Sequence, residues 1–230
     1  MTAIARRKPV HPMPFVRVEL AVLAVLNGEL EVLLGRREAE PHQGRWALPG
    51  GVLRIDVDAD LDAACDRVAR ERLGISLPDA VQLCAVGTKL RDPRAPWALS
   101  VVYRCTTSPA ALPAQPGKRL TDLKWVDALA AAADTGLAFD HSRLVDQAVK
   151  ALRLEVRELR FPPGLIAEPF TLSDLQSTAE AVLGHRLDKS SFRRRLEGAG
   201  CVGPVAGEMR TGAFRPAQLY CWAASKQHER

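Results

Sequence analysis

The segment from Gly51 to Ile75 combines a glycine, an acidic loop and an amphipathic helix in that order. Apolar residues recur at helical spacing from Leu61 to Leu73, which predicts the helix. Positions 68, 71 and 72 share one face of it, because residues three and four apart on a helix are neighbours. That face carries Val68, Glu71 and Arg72, so it has a single carboxylate beside a guanidinium.

The residues around this segment give it a resemblance to a known motif. Arg45 to Gly51 precedes it and Leu73-Gly74-Ile75 closes it, as in the Nudix signature G-x5-E-x7-R-E-U-x-E-E-x-G-U, where U is aliphatic. Counted back from the close, Arg67 keeps the arginine, Val68 stands at a glutamate position, and Glu71-Arg72 replaces the glutamate pair. The chain therefore resembles a Nudix domain that has lost its metal site.

Loss of these carboxylates changes the expected chemistry. Mg²⁺ takes oxygen ligands, and one carboxylate makes a poor site here, because Arg72 competes for Glu71 and repels the ion. We therefore predict no catalytic residue, with Arg67 and Glu71 as remnants, and no metal or required cofactor. Residual Mg²⁺ binding is expected only if the chain is catalytic.

The loop before the helix is longer than the signature allows. Arg67 lies sixteen positions after Gly51, two more than in the motif, so the first glutamate falls near Val57 or Asp58. Four aspartates lie in this region: Asp58, Asp60, Asp62 and Asp66. In one interpretation they form a solvated acidic face and the first turn of the helix, where negative charge is favoured. In the other they rebuild a site for a metal ion. We favour the first interpretation.

Composition and cysteine spacing narrow the class of protein. The chain has 230 residues, 47% hydrophobic and 26% charged, which suits one large or two modest globular domains. Five cysteines without C-x-x-C spacing predict neither disulfides nor a zinc ribbon and fit a cytoplasmic location. The basic N-terminus lacks the apolar run of a signal peptide, and Leu20 to Leu26 is too short to cross a membrane.

The first half of the chain has the pattern of a mixed α/β domain. Phe15 to Leu26 and Glu29 to Leu34 flank Asn27-Gly28, which predicts a β-hairpin. Further strands are predicted over Val81–Gly87, Leu99–Arg104 and Asp122–Val126, and a short helical patch over 128–133. This order suits the α/β/α sandwich that the Nudix resemblance implies.

An amphipathic helix of about five turns follows, from Leu144 to Leu159. Phe161-Pro162-Pro163-Gly164 ends it. We therefore divide the chain into a basic N-terminal arm, 1–14, a Nudix-like domain, 15–140, a connecting helix, 141–160, and a C-terminal domain, 161–230.

The C-terminal part has the pattern of a winged helix-turn-helix. Thr171 and Asp174 form a capping box that opens one helix, Gly184-His185-Arg186 closes it, and Leu187 to Gly198 predicts a second. Cys201–Val205 and Ala217–Trp222 predict strands around a basic hairpin tip over 207–216.

Positive charge is concentrated in this part of the chain. Between His185 and Pro216 there are seven basic and three acidic residues, and the whole chain carries a net charge of +5. Such clustering is typical of phosphate-backbone binding, although a solvated basic face has the same composition. The predicted DNA-binding residues are Arg186, Lys189, Ser190, Ser191, Arg193, Arg194, Arg210 and Arg215.

A degenerate Nudix domain followed by a winged helix-turn-helix resembles the Nudix-related transcriptional regulators of the NrtR family. The resemblance extends from about Val16 to Trp222. It is carried by Val32–Arg37, Gly44–Gly51, Arg91–Arg94, Phe139–His141, Leu187–Lys189, Phe192–Arg194 and Arg215–Tyr220.

This resemblance implies a function and a site. It implies a bacterial repressor, usually a homodimer, that binds double-stranded operator DNA near NAD-metabolism genes and senses ADP-ribose or a related nucleotide. The implied pocket contains Arg36, Arg37, Trp46, Gly50, Gly51, Arg91, Asp92 and Arg94. Guanidinium groups bind diphosphates well, and glycines allow a ligand to approach the backbone closely. Each residue also has a structural alternative: Trp46 can pack in the core, Arg36 and Arg37 can be solvated charges at a strand end, and Gly50-Gly51 can form a turn.

Two alternatives remain open. The first is a nucleoside diphosphate hydrolase with an accessory winged domain, in which Glu71 and either Asp62 or Asp66 hold the metal. The second is a winged domain that binds protein rather than DNA. In the favoured interpretation, effector binding changes the relative pose of two winged domains in a dimer and so their fit to two half-sites.

Overall fold

The computed structural model describes residues 13–108, 113–210 and 216–223. Its larger sheet has seven strands: β1 (Phe15–Leu26), β2 (Glu29–Arg37), β3 (Trp46–Ala47), β4 (Gly50–Val52), β5 (Val81–Thr88), β6 (Ala98–Thr106) and β7 (Leu120–Asp127). The helices are α1 (Leu61–Leu73), α2 (Ala128–Ala133), α3 (His141–Arg157), α4 (Leu172–Leu183) and α5 (Lys189–Ala199). Two further strands, β8 (Val202–Arg210) and β9 (Ala217–Trp222), form a second sheet.

The β1–β2 hairpin confirms the prediction from Asn27-Gly28. Both turn residues have positive φ, 50° and 84°, as a type I′ turn requires. The first three predicted strands after the hairpin are present as β5, β6 and β7, each slightly longer than predicted. The alanine patch forms α2, capped at its start by Asp127, whose side chain accepts a hydrogen bond from Ala130 N.

Strand β1 lies at the centre of the sheet and changes partner along one edge. Its second half pairs antiparallel with β2, whereas Arg17 to Glu19 pair with β4. The opposite edge pairs in parallel with β6 along its length. The sheet therefore forks beside Arg17 and Glu19, and a cleft opens there.

Helices cover both faces of this sheet, which is the predicted α/β/α arrangement. Alternate residues of β1 point to opposite faces: Val18, Leu20 and Val22 pack with α1, while Ala21 and Leu23 belong to the apolar cluster that includes α2 and α3. Because successive side chains of β1 alternate between the two faces of the sheet, this one strand contributes residues to two apolar clusters.

The short strand β4 corrects one prediction. Gly50 and Gly51 lie in a strand that pairs with β1, rather than in a turn. A Cβ on Gly50 would lie 1.7 Å from Oε2 of Glu19, and one on Gly51 would lie 2.7 Å from Cγ2 of Val68. Glycine is needed at both positions because of close packing, not because of backbone dihedral angles.

Helix α3 joins the two halves of the chain through one apolar cluster. Its inner face, represented by Leu144 and Leu152, packs in the same cluster as β1 and β2 of the larger sheet. Phe170, Leu175 of α4 and Leu196 of α5 belong to this cluster as well. The described C-terminal residues are therefore packed onto the first half rather than tethered to it.

The predicted helix pair is present at the C-terminal end. Thr171 and Asp174 form the predicted capping box, and Gly184 ends α4 with a φ of 76°. The second helix begins at Lys189, not at Leu187, because the Asp188 side chain accepts from Ser191 N and caps it. Phe192 and Leu196 are buried, as predicted.

The wing differs from its prediction at the hairpin tip. Strand β8 continues to Arg210, so residues 207–210 belong to a strand, and 211–215 lie outside the described residues. Strand β9 is held at its base, where Phe170 and Tyr220 exchange backbone hydrogen bonds of 3.0 and 2.7 Å. Trp222 stacks on Phe161 with 5.3 Å between ring centroids.

We predict that Leu152→Ala destabilises both halves of the molecule together. Leu152 is fully buried in the shared cluster, so truncation should lower the free energy of unfolding by about 2–5 kcal/mol. Hydrogen exchange should show equal losses of protection in β1 and α4. The control Leu154→Ala, on the same helix but 53% exposed, should change stability by less than about 0.5 kcal/mol. Loss of protection in α4 alone would contradict a shared core.

Candidate ligand cleft and nucleic-acid interface

A cleft rich in arginine lies at the fork between β2 and β4. It is lined by Arg17, Arg37, Ala39, Glu40, Ala47, Leu48, Gly50, Val52, Arg72, Arg94, Arg119 and Leu120. Three of the predicted pocket residues are among them, namely Arg37, Gly50 and Arg94. Five guanidinium groups against one lining carboxylate make this a site for an anion.

A buried ion pair lies under the cleft. Arg17 Nε donates to Oε1 of Glu19 at 2.7 Å, and both side chains are almost fully buried. Ser100 Oγ also donates to Glu19 Oε1 at 3.3 Å. Burial alone would raise the pKa of Glu19, but the charge of Arg17, its hydrogen bond and the other positive groups nearby together outweigh burial and hold this pKa below its usual range.

His141 connects this ion pair to the first turn of α3. Its Nδ1 accepts a hydrogen bond of 2.9 Å from Leu48 N, and its Nε2 lies 3.9 Å from Glu19 Oε1. Because Nδ1 is an acceptor, the proton of the neutral ring is on Nε2. Burial lowers the pKa of His141 to about 4, although Glu19 opposes this shift, so the ring is neutral at physiological pH.

The predicted loop residues Arg91, Asp92 and Arg94 take part in two separate ion pairs: Arg91 pairs with Asp140, and Arg94 pairs with Asp92. Arg91 forms an ion pair with Asp140 and donates to Ser100 Oγ at 3.1 Å. Asp92 accepts two hydrogen bonds from the Arg94 guanidinium, including one from Nε at 2.8 Å, and a third from the Arg94 backbone N at 3.0 Å. Only Arg94 lines the cleft, and its guanidinium also lies over the ring of Phe15, 4.9 Å from the centroid.

Two predicted pocket residues lie elsewhere. Arg36 is exposed and donates to Gly44 O at 3.2 Å, while Trp46 packs against the shared apolar cluster with Lys124 Nζ 4.3 Å from its ring centroid. Because side chains alternate along β2, Arg36 and Arg37 point to opposite faces of the strand. Gly51 does not line the cleft either, since it packs on Val68 of α1.

The Nudix-like helix departs from the prediction in how its charges pair. Arg72 does not bind Glu71; its Nε donates to Gly50 O at 2.8 Å and its Nη1 to Lys118 O at 2.7 Å. Glu71 is instead contacted by Lys118 Nζ at 3.3 Å and Arg67 Nη1 at 3.4 Å. The sequence predicted that Arg72 would compete with a metal ion for Glu71. Instead, the Arg72 side chain extends past Glu71 and binds the backbone carbonyl of Gly50 in β4 and that of Lys118, just before β7.

The four aspartates of this region each have a hydrogen-bonding role. The Asp58 side chain is buried and accepts from Arg67 Nε at 2.6 Å, and Asp60 caps α1. Asp62 accepts a hydrogen bond from Tyr103, whereas Asp66 accepts one from Ser76 and forms an ion pair with Arg70. Asp58, rather than the exposed Val57, therefore faces the motif arginine. Within the described residues, no group of three or more acidic, histidine or cysteine side chains is placed to hold a metal ion, so the carboxylates present do not fit Mg²⁺.

The sequence reasoning missed the floor of the cleft. Arg17, Glu19 and His141 were not predicted, and Arg72 was interpreted only as a lost ligand. One signal was available, since Arg17 and Glu19 are the two charged residues of an otherwise apolar strand and are spaced to face the same way. Arg119 also lines the cleft. It follows a chain reversal and has a φ of 61°, and no sequence pattern pointed to its position there.

Helix α5 presents the predicted basic surface. Lys189, Ser190, Arg193 and Arg194 are exposed, and Ser191 is half-buried. Across the described parts of the chain, the side chains of Lys189, Arg193 and Arg194 take part in no ion pair. Arg195 is exposed too but donates to Arg157 O at 2.6 Å, which fixes α5 against the end of α3.

Two other predicted DNA-binding residues have partners within the chain. Arg186 is 92% exposed and donates to Glu180 at 2.7 Å, and Arg210 donates to Asp174 at 2.7 Å. Glu180 also accepts from Leu187 N at 2.9 Å, and these hydrogen bonds lower its pKa to about 2, with the Leu187 backbone contributing most. The turn between α4 and α5 is thus organised around one carboxylate. Arg215 lies outside the described residues.

Among the described residues, no helix has the length and apolar character needed to cross a membrane.

Family models match both halves of the chain. A model described as a NUDIX domain matches residues 16–148, and one described as an NrtR DNA-binding winged helix domain matches residues 163–222. The chain is 36% identical, over 94% of its length and 85% of the relative's, to the ADPR responsive transcriptional repressor NtrR of Acinetobacter baylyi.

Solved structures of Shewanella oneidensis NrtR have the same fold. The protein alone matches with a TM-score of 0.77 at 35% identity, covering 91% of this chain and 94% of that one. Its complex with a 27mer DNA gives a TM-score of 0.74 at 33% identity, covering 90% and 93%. Its NUDIX domain complexed with ADP ribose gives 0.57 at 31% identity, covering 64% and 95%.

We predict that His141 makes stability depend on pH between 6.5 and about 4. Its pKa is about 4 when folded and 6.5 unfolded, so its contribution is complete above pH 6.5 and is lost as pH falls through 4. The free energies of unfolding of His141→Asn and of the native chain, measured by urea titration, should approach each other by up to about 3 kcal/mol as the pH falls across this range. A stability difference that stays constant from pH 7 to pH 4 would contradict the assignment.

Proposed function

The chain belongs to the NrtR family of Nudix-related regulators, and from this premise we propose that it represses transcription by binding operator DNA through its winged helix. Binding of ADP-ribose or a related nucleotide in the arginine-lined cleft controls that DNA binding. The protein acts as a homodimer in the cytoplasm, on double-stranded DNA, and needs no metal for this role. The division into an arm, 1–14, a sensing domain, 15–140, a connecting helix, 141–160, and a winged domain, 161–230, is part of the proposal.

One observation carries the DNA-binding part of this proposal. Helix α5 holds Phe192 and Leu196 in the apolar core while Lys189, Arg193 and Arg194 extend into solvent without carboxylate partners in the described chain. Unpaired guanidinium groups on an exposed helix are available to phosphate oxygens and to guanine edges in a major groove. A relative has been solved in complex with a 27mer DNA, which supports DNA binding.

The cleft supports the sensing part. Its guanidinium groups are held over a buried floor of Arg17 and Glu19, and the floor touches His141 at the start of α3. Since α3 packs with α4 and α5 in one cluster, a ligand that shifts the floor can displace the winged half. The domain solved with ADP ribose in a relative supports this ligand class.

Hydrolysis is the second candidate, because Glu71 remains on the Nudix-like helix. The structure gives it little support. Glu71 is paired with Arg67 and Lys118, and the two aspartates proposed as co-ligands bind Tyr103 and Ser76 instead. We therefore propose binding without turnover.

We predict that Arg193→Ala with Arg194→Ala weakens DNA binding and its dependence on salt. Removing two phosphate contacts should lower affinity about 10- to 100-fold and reduce the slope of log K against log salt by about 2. The measurement is a mobility shift on the chain's own upstream region at several salt concentrations. The control Arg54→Ala with Arg70→Ala removes the same charge from exposed positions of the Nudix-like half and should leave both values unchanged. Equal losses in both variants would reject α5 as the recognition helix.

We also predict that ADP-ribose changes DNA binding without being consumed. Adding it to the preformed complex should change the fraction of DNA bound, and incubation with Mg²⁺ or Mn²⁺ should leave the diphosphate intact. Turnover that Glu71→Gln abolishes would favour the hydrolase instead. An intact nucleotide with no effect on DNA binding would reject ADP-ribose as the effector.

A further inference from the structure

A diphosphate needs positive charge around it, and this cleft provides that charge without carboxylates arranged for a metal. Val68, at a glutamate position of the signature, is fully buried against Gly51. Glu71 is already paired with Lys118 and Arg67. The remaining signature position on this face carries Arg72, whose side chain turns toward the cleft.

Arg72 is held in place by neutral groups. Its Nε and Nη1 donate to the carbonyl oxygens of Gly50 and Lys118 at 2.8 and 2.7 Å. These bonds fix the plane of the guanidinium without neutralising its charge, because carbonyl oxygens carry no full negative charge. In the described part of the chain Arg72 forms no ion pair, and only 9% of the residue is exposed.

Two other cleft arginines also lack an ion pair with any described residue. Arg37 donates to the carbonyl oxygens of Pro41 and Ala39, and Arg119 has no ion pair with any described residue. Arg17 and Arg94, by contrast, are neutralised by Glu19 and Asp92. The cleft therefore keeps three positive charges without a carboxylate partner among the described residues, and hydrogen bonds fix two of them, Arg37 and Arg72.

Burial and neighbouring positive charge both lower the pKa values of two of these arginines. Burial, followed by the charges of Arg17 and Arg94, lowers the pKa of Arg37 to about 10. Burial also lowers the pKa of Arg72; the charge of Glu71 opposes this shift, and repulsion from Arg119 and Arg17 adds to it. A bound diphosphate would relieve both the desolvation and the repulsion.

We propose that Arg72 takes the place of the divalent cation, so that this cleft binds the diphosphate of its nucleotide through Arg72, Arg37 and Arg119 without metal. The proposal rests on the sensing function above and specifies how the same site works. A guanidinium stays charged at all physiological pH values and offers two parallel donors to phosphate oxygens. Occupancy of the site then follows nucleotide concentration alone and is independent of free Mg²⁺.

The test is calorimetric titration with ADP-ribose in EDTA and in Mg²⁺. The native chain should bind with the same affinity, within about twofold, in both buffers, and Arg72→Gln should weaken binding at least about tenfold in each. The matched control is Arg70→Gln, which lies on the same helix but is exposed and paired with Asp66; it should bind like the native chain.

Arg72 also supports two backbone carbonyls, so a second variant separates charge from folding. Arg119 is exposed and its side chain has no hydrogen bond in the described structure, so Arg119→Gln should keep the native thermal unfolding and still lose affinity about threefold or more. Arg72→Lys, which keeps the charge but not the planar donors, should bind better than Arg72→Gln. Native affinity in both Arg72→Gln and Arg119→Gln would overturn the proposal.

Failure of this inference can be told apart from failure of the sensing function. If ADP-ribose binds only with Mg²⁺, the inference is overturned and the sensor remains. If ADP-ribose does not bind under either condition, the effector assignment fails, and inorganic pyrophosphate in EDTA becomes the probe. Pyrophosphate binding that Arg72→Gln removes would support the inference, whereas no pyrophosphate binding would overturn it.

Discussion

The apolar cluster around α3 is the constraint on which the rest of the molecule depends. One cluster includes residues of β1 and β2, of α3, and of both helices of the winged half, so α3 and the winged helices share their core with the larger sheet. Packed interiors resist gradual deformation. Any signal that travels from the cleft to α5 must therefore move α3 as a packed unit, or act through the contact between two protomers of the proposed dimer.

Burying charge at the start of α3 is costly, and the structure compensates for it locally. Arg17 and Glu19 neutralise each other, Ser100 satisfies the same carboxylate, and His141 stays neutral beside it. Desolvated charges that are fully paired hold a fixed geometry. The cleft arginines above them differ in this respect, because Arg37 and Arg72 are held by carbonyl oxygens and, like Arg119, keep their charge for a ligand.

The elements followed from the sequence more readily than the site did. Asn27-Gly28 predicted the hairpin, the capping box at Thr171 predicted α4, and the spacing of Phe192 and Leu196 predicted the buried face of α5, because each depends on local chemistry. The cleft depends on contacts distant in sequence: Arg72 reaches Lys118, and Glu19 excludes any side chain at Gly50. No local pattern carries that information, which is why Arg36 and Trp46 were placed in the pocket and Arg17 was not.

The contact between Arg67 and Asp58 holds the acidic loop against α1, while side chains in the middle of the loop stay exposed. Arg67 also binds Val52 O at 2.9 Å, so the arginine joins the end of β4, the loop and α1. Ile55 and Val57 between these anchors are exposed. Side chains at positions 55–57 do not line the cleft, which makes these positions suitable for a reporter group when this scaffold is used as a nucleotide biosensor.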